Sequence, residues 1–314
     1  MKPKILVTCA QMQAELHVHR ARMEAAGYVV EAPPIPGQQF SSAELAALMP
    51  GVVGLIAGDD ELDRSLLEAS SDLNVLIRWG IGMDSVDHDA ARELGIVVRN
   101  TPGVFGGEVA DSALAYVLLL ARGHHLVDAA VRSGGWPKRE GTSLAGTRIG
   151  VVGLGDIGAG VVSRAVGFGM DVRGFDPYLD PTRVPAGMER VEMLDDLLAW
   201  ARFVVLTCPL TPKTRHLINE KTLGQMRSDA YLVNVARGPV VDEKALVDAL
   251  GAGRISGAGL DVFETEPLPA DSPLRAFDNV ILGAHNGSNT REGVARASAK
   301  AVEILLAELA SYES

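Results

Sequence analysis

The chain has 314 residues, long enough for two domains with substantial cores, and its 47% hydrophobic and 22% charged content is that of a soluble globular protein. A formal net charge of −11 argues against nucleic acid or an anionic membrane surface as a general partner. Two cysteines, Cys9 and Cys208, are too few for a disulfide framework. With no signal peptide ahead of the first strand and no apolar run long enough to span a bilayer, a cytoplasmic protein is expected.

The first hundred residues alternate strand and helix. Apolar runs predict strands at Lys4–Thr8, Tyr28–Ala32, Val52–Ala57, Val75–Arg78 and Ile96–Val98. Helical periodicity falls at Gln11–Ala26, Ser41–Met49, Asp63–Ala69 and Asp87–Leu94. Such alternation predicts a parallel sheet with helices on both faces. The stretch Arg78–Asp84 (RWGIGMD) is a glycine-rich turn at a strand end, where ligands sit in open α/β sheets. A long helix is expected over Glu108–Arg122, apolar round most of its circumference and therefore buried. His124 and His125 read as its C-terminus. His17 and His19 face different sides of one helix, so no metal pair is expected.

The stretch from Gly146 to Pro177 carries the most specific pattern. An apolar strand over Ile149–Val152 leads into Gly153, Gly155 and Gly158 at GxGxxG spacing, then a helix to about Phe168 and a strand, Asp171–Phe175, ending at Asp176. The acidic residue follows the glycines by about 20 residues, as a dinucleotide-binding unit requires. Gly153 allows the tight turn, Gly155 lets backbone N–H groups approach a pyrophosphate, and Gly158 lets helix and strand pack closely. Asp176 can accept the ribose hydroxyls and would repel a 2′-phosphate, which favours NAD over NADP. Asp156 puts a negative charge at the mouth of the phosphate site and should cost some affinity.

Later strands read at Phe203–Thr207, Ala230–Val235, Gly257–Val262 and Val280–Gly283. Just beyond their ends stand Arg237, then Glu264 and Glu266, then His285. An Arg that can grip a carboxylate, a His that titrates near neutrality and a carboxylate to orient it are the groups that hydride transfer to a keto acid needs. Cys208 lacks a His to activate it and reads as a small residue lining the cofactor site. The last helix, Thr290 to Leu309, has one amphipathic face and needs a sheet to cover, for which the N-terminal unit is the natural host.

On these residues the chain resembles the D-specific 2-hydroxyacid dehydrogenases, within them the phosphoglycerate dehydrogenase branch. The carriers are Arg78–Asp87 (RWGIGMDSVD), Asn100-Thr101-Pro102, Gly153–Gly158, Asp176-Pro177, Thr207–Leu210, Asn234–Gly238 (NVARG), Asp242-Glu243, Leu260–Pro267 (LDVFETEP) and His285–Ser288. The resemblance implies two doubly wound parallel-sheet α/β domains with a cleft between them. One is a discontinuous flavodoxin-like substrate domain (1–100 and 286–314), the other a Rossmann coenzyme domain (101–285). It implies NAD as cofactor, a homodimer, and a small 2-hydroxy or 2-keto acid as substrate. Arg237 would bind the substrate carboxylate, His285 would be the acid/base and Glu266 its partner. Arg78, Ile81 and Gly82 would line the substrate site. NAD contacts are implied for Gly153, Gly155, Asp156, Ile157, Gly158 and Asp176, for Thr207, Cys208 and Pro209, and for Val235, Ala236, Asp261 and Gly287. Asp261 in particular would meet the nicotinamide carboxamide.

The chain departs from the family pattern in three places. Ala284, not Pro, precedes His285; Phe105 and Asp111 replace a polar residue and a Glu; and Ala57-Gly58 stands where the phosphoglycerate enzymes carry an Arg for the substrate phosphate. A second reading keeps the scaffold but makes the protein a non-enzymatic NAD sensor, like the C-terminal binding proteins.

Overall fold

A computed structural model describes residues 2–312. The chain divides into two compact units, one built from the chain up to Phe105 and from Asn289 onward, the other from Gly106–Ser288.

The first unit is a five-stranded sheet of β1 (Lys4–Val7), β2 (Val29–Glu31), β3 (Val52–Ala57), β4 (Val75–Arg78) and β5 (Val97–Asn100). Every pair is parallel and the order is β2-β1-β3-β4-β5. The strands are apolar runs because helices cover both faces. One face packs Leu45, Leu66, Leu67 and Ala90 from the crossover helices, with Leu62 from the segment before Arg64–Ala69. The other is covered by the Arg291–Tyr312 helix, which packs on β3, β4 and β5. Gly54 of β3 makes room for it, since a Cβ there would lie 3.0 Å from Leu305 Cδ1 and 3.2 Å from Leu309 Cδ1. Trp79 Nε1 donates to Ser298 on the same helix at 3.2 Å, and its ring packs on Phe105, whose apolar side chain is thereby buried. Buried Asp60 ties together the exits of β1 and β3. Its carboxylate accepts from Thr8 Oγ1 at 2.5 Å, Gly58 N at 3.0 Å and Phe40 N at 2.8 Å.

The second unit is a seven-stranded sheet: β6 (Arg148–Val152), β7 (Asp171–Phe175), β8 (Glu189–Arg190), β9 (Phe203–Leu206), β10 (Tyr231–Asn234), β11 (Gly257–Leu260) and β12 (Val280–Leu282). All pairs are parallel, in the order β12-β11-β10-β9-β6-β7-β8. The order reverses between β6 and β9, the position at which doubly wound sheets bind ligands. The Gly106–Arg122 helix buries Val109, Ala110, Ala113, Leu114, Val117, Leu120 and Ala121, and packs on the Asp156–Gly167 helix and on β10 and β11. Asp111 of the first helix pairs with Arg164 of the second at 2.5 Å.

Three local readings change. The helix expected over Gln11–Ala26 is two, Ala10–Ala14 and Leu16–Ala25. His17 is exposed and His19 buried, on different sides as expected. His124 and His125 do not end the long helix. Gly123, left-handed at φ 61°, turns the chain, and His124 opens a new helix to Arg132. A protonated His there faces the positive end of the dipole rather than the negative one. The two-residue strand β8 had no apolar run to announce it. Among the described residues no single helix is long and apolar enough to cross a membrane.

If the C-terminal helix completes the first sheet's core, Leu305→Ala should destabilise that unit by about 2–5 kcal/mol. Leu305 is fully buried. Urea unfolding should give a lower midpoint with an unchanged slope; an unchanged midpoint would show that the helix is dispensable.

Candidate active site

The glycine-rich turn leaves β6 at Gly153, which is left-handed at φ 90°. A Cβ on Gly153 would lie 2.6 Å from Cys208 N, and one on Gly158 would lie 2.0 Å from Gly153 O. Neither position tolerates a side chain. Gly155, by contrast, has nothing within 4 Å of where its Cβ would be, so the turn is open at the residue meant to face a phosphate. Gly155 caps the Asp156–Gly167 helix, and the N–H groups of Asp156, Ile157 and Gly158 begin that helix unpaired by its own ladder. Thr207, just past β9, donates its hydroxyl to Gly153 O at 2.7 Å and pins the turn to the neighbouring strand.

Asp176 closes the other side. Its Oδ2 accepts from Leu154 N and its Oδ1 from Tyr178 N, each at 2.9 Å. The carboxylate is thus held at the end of β7 with lone pairs to spare for two ribose hydroxyls. Open Gly155, the helix N-terminus and the fixed acid fit a dinucleotide. Cys208 is buried, and that burial, reinforced by the Asp176 charge, pushes its thiol up to about 11. It is an inert wall residue, not a nucleophile. Pro209 follows it.

The three candidate catalytic side chains leave three adjacent strands on the same edge. After β10, Asn234 clamps the turn: its Oδ1 accepts from Ala236 N at 3.0 Å and its Nδ2 donates to Arg237 O at 2.9 Å. Val235 and Ala236 are buried beneath that clamp. Gly238 then lies directly on the loop after β11, where a Cβ would come within 1.8 Å of Phe263 O. In that second loop Glu266 Oε1 accepts from Phe263 N at 2.9 Å, and Oε2 meets His285 Nδ1 at 2.7 Å. A carboxylate against Nδ1 makes that nitrogen the N–H donor and gives Nε2 the proton-exchanging role. His285 is left-handed at φ 51°, a conformation that a non-glycine residue adopts only when its surroundings impose it.

The sequence reading missed several partners. Glu264, one of the two candidate acids, pairs with His216 Nε2 at 2.7 Å, and its N–H donates to the Glu243 carboxylate at 3.2 Å. Burial and the neighbouring Glu264 charge raise the Glu243 pKa. His216 sits in a loop at φ 50°, with no periodicity to mark it. Asp261, expected at the nicotinamide, is buried, and its oxygens accept from Tyr116, Asn286 and Gly287. In the first unit, the Arg78 guanidinium is buried against Asp59 and the Trp79 carbonyl, while Ile81 is exposed and receives Asn100 Nδ2 on its carbonyl at 2.8 Å. Gly82 follows it, half-buried. Among the described residues no group of three His, Cys, Asp or Glu side chains could hold a metal.

Residues 114–287 match the family model described as D-isomer specific 2-hydroxyacid dehydrogenase, NAD binding domain. Among curated proteins, the chain is 41% identical over 242 residues to a D-3-phosphoglycerate dehydrogenase of Methanocaldococcus jannaschii. That match covers 76% of this chain and 46% of the relative, so the chain spans about half of that longer protein. It is 37% identical to a glyoxylate reductase of Korarchaeum cryptofilum over 98% of this chain and 93% of the relative. Among solved structures, D-lactate dehydrogenase of Aquifex aeolicus, crystallised with NAD and lactic acid, superposes with a TM-score of 0.87 at 25% identity. The superposition covers 98% of this chain and 96% of that one.

The crowding at Gly158 makes a sharp test. Gly158→Ala should force the helix away from β6 and abolish dinucleotide binding, read by quenching of protein fluorescence on titration with NADH. Tight binding by this variant would mean that the glycine turn is not the phosphate site.

Proposed function

The chain belongs to the D-isomer specific 2-hydroxyacid dehydrogenase family, and from that premise we propose that it interconverts a small D-2-hydroxy acid and its 2-keto acid with NAD. The observation that carries this reading is the Glu266–His285 pair. It shares one sheet edge with Arg237 and with the glycine-rich turn. None of the relatives named above is a non-enzymatic binding protein, and nothing favours the sensor reading.

The backbone N–H groups of Gly155 through Gly158 would hold the pyrophosphate and Asp176 the adenosine ribose. The acid, followed by Pro177 and Tyr178 with no Arg, favours NAD over NADP. Thr207, Cys208, Pro209, Val235, Ala236 and Gly287 would line the path toward the nicotinamide, and Asp261 keeps one lone pair for its carboxamide. When bound, the coenzyme supplies or accepts the hydride at the substrate's C2. The remaining work belongs to the protein. Arg237 grips the substrate carboxylate and orients the carbonyl. His285 gives a proton through Nε2 to the keto oxygen in reduction and takes it back in oxidation. Glu266 holds the tautomer and stabilises the imidazolium. Main-chain groups of Ile81 and Gly82 are further candidates to hold the substrate carboxylate, and Arg78 would act by fixing their loop. The discontinuous unit is proposed as the substrate domain through Arg78, Ile81 and Gly82, while the continuous unit would hold the coenzyme and also supply Arg237 and His285.

An unphosphorylated keto acid such as glyoxylate or hydroxypyruvate is the favoured substrate. Gly58 offers no cation, and beside it stand Asp60, buried, and Asp59, which already occupies Arg78. A homodimer is proposed as well: the His124–Arg132 helix exposes Val131 and leads on to Trp136, which is 77% exposed. Two buried free cysteines and the acidic charge favour a cytoplasmic enzyme that binds neither nucleic acid nor membrane.

An NADH-oxidation screen over glyoxylate, hydroxypyruvate, pyruvate, branched keto acids and 3-phosphohydroxypyruvate tests this. Turnover should be fastest on an unphosphorylated acid. His285→Ala should lower kcat by about 10²–10⁴-fold while NADH still binds. NADH binding with no turnover on any acid would sink the enzyme reading; preference for the phosphorylated acid would overturn the substrate assignment.

A further inference from the structure

The segment that carries His285 is held by very little of its own chemistry. Gly283 and Ala284 precede the histidine and neither restricts the backbone as a ring or a branched side chain would. Yet His285 is kept in a left-handed conformation. Glu266 holds its ring, and Asp261 holds its backbone. The Asp261 carbonyl accepts from His285 N at 2.7 Å, its Oδ1 from Asn286 N at 3.2 Å and its Oδ2 from Gly287 N at 2.8 Å.

Asp261 is in turn held by one side chain from a distant element. Tyr116, on the Gly106–Arg122 helix, donates its hydroxyl to Asp261 Oδ1 at 3.0 Å. The sheet is shaped to admit this ring. A Cβ at Gly259 of β11 would come within 2.8 Å of Tyr116 Cβ, and one at Gly283 within 2.2 Å of the Tyr116 hydroxyl and 2.4 Å of Asp261 Oδ1. Two glycines, one in β11 and one just past the end of β12, therefore make the space that a tyrosine fills, and its polar end meets the Asp261 carboxylate. Burial, with the Asp261 charge adding to it, pushes the phenol far above neutrality, so it remains a donor throughout the working pH range.

We propose that Tyr116 is a positioning residue for His285, acting through Asp261 to fix the 283–287 segment and so the direction of the imidazole. The proposal rests on the reading of His285 as the proton-transfer group. It gives Asp261 a structural duty alongside any contact with the coenzyme. Tyr116 does not touch the reacting atoms; it sets the geometry in which Glu266 and His285 meet.

Tyr116→Phe removes one oxygen and leaves the ring in its space. It should lower kcat for the best keto acid about tenfold, the worth of one well-placed hydrogen bond, with little change in KM for NADH. The solvent deuterium isotope effect on kcat should rise, because proton transfer from a mis-set imidazole becomes slower. Amide hydrogen exchange at Asn286 and Gly287 should accelerate. In an Asp261→Asn background the same change should add almost nothing, since the two residues act in series. A variant with lower thermal stability but wild-type kcat and isotope effect would make Tyr116 merely structural and overturn the proposal. So would unchanged exchange at the two amides. If the wild-type protein binds NADH yet reduces no keto acid, the functional reading fails on its own account. Exchange at Asn286 and Gly287 then still decides whether Tyr116 holds the segment.

Discussion

Parallel pairing forces every strand of the Gly106–Ser288 unit to end on the same edge, and the chemistry depends on that constraint. A chain that must cross back after each strand delivers one loop per strand to this edge. Gly153 after β6, Thr207 after β9, Arg237 after β10, Glu266 after β11 and His285 after β12 arrive there from widely separated positions in sequence. The loops then come together through backbone contacts that leave no room for a Cβ. Gly153 lies against Cys208, and Gly238 against Phe263. Close approach at glycine thus does for the loops what hydrogen bonding does for the strands.

A second layer of polar contacts turns proximity into fixed geometry. Asn234 clamps the Arg237 turn, Glu266 is held by Phe263 N before it meets His285, and Asp261 gathers the backbone around His285. Each of these carboxylates and amides is buried or half-buried, where an unmade hydrogen bond is expensive and a made one is directional. The candidate catalytic side chains are therefore positioned by groups that need not touch a substrate. The first unit uses the same device: buried Asp60 joins the exits of β1 and β3, and Asp59 joins Arg78.

The sequence carried the strands well because both sheets are buried on both faces, and a buried parallel strand is an uninterrupted apolar run. β3, β4 and β7 have the limits expected from their residues. The glycine turn was legible because its spacing is imposed by backbone contact. Elements without either signal were not legible. β8 has two polar residues, and the helix from His124 starts at a left-handed glycine inside what looks like one apolar pattern. By position alone Glu264 and Glu266 were equivalent, and it was the family resemblance that singled out Glu266; the pairing of Glu264 with His216 had no signal in the sequence. Tyr116 looked like another residue of an apolar helix, since its hydroxyl finds its partner 145 positions away.

The most direct measurement is the transfer of deuterium from [4-²H]NADH to hydroxypyruvate, with the product resolved by chirality and mass. One deuterium should appear at C2 of the D-hydroxy acid, delivered from a single face of the nicotinamide. A product left unlabelled by both the 4R- and the 4S-deuterated coenzyme would contradict direct hydride transfer, and label in the L-isomer would contradict a D-specific site built from Arg237, Glu266 and His285.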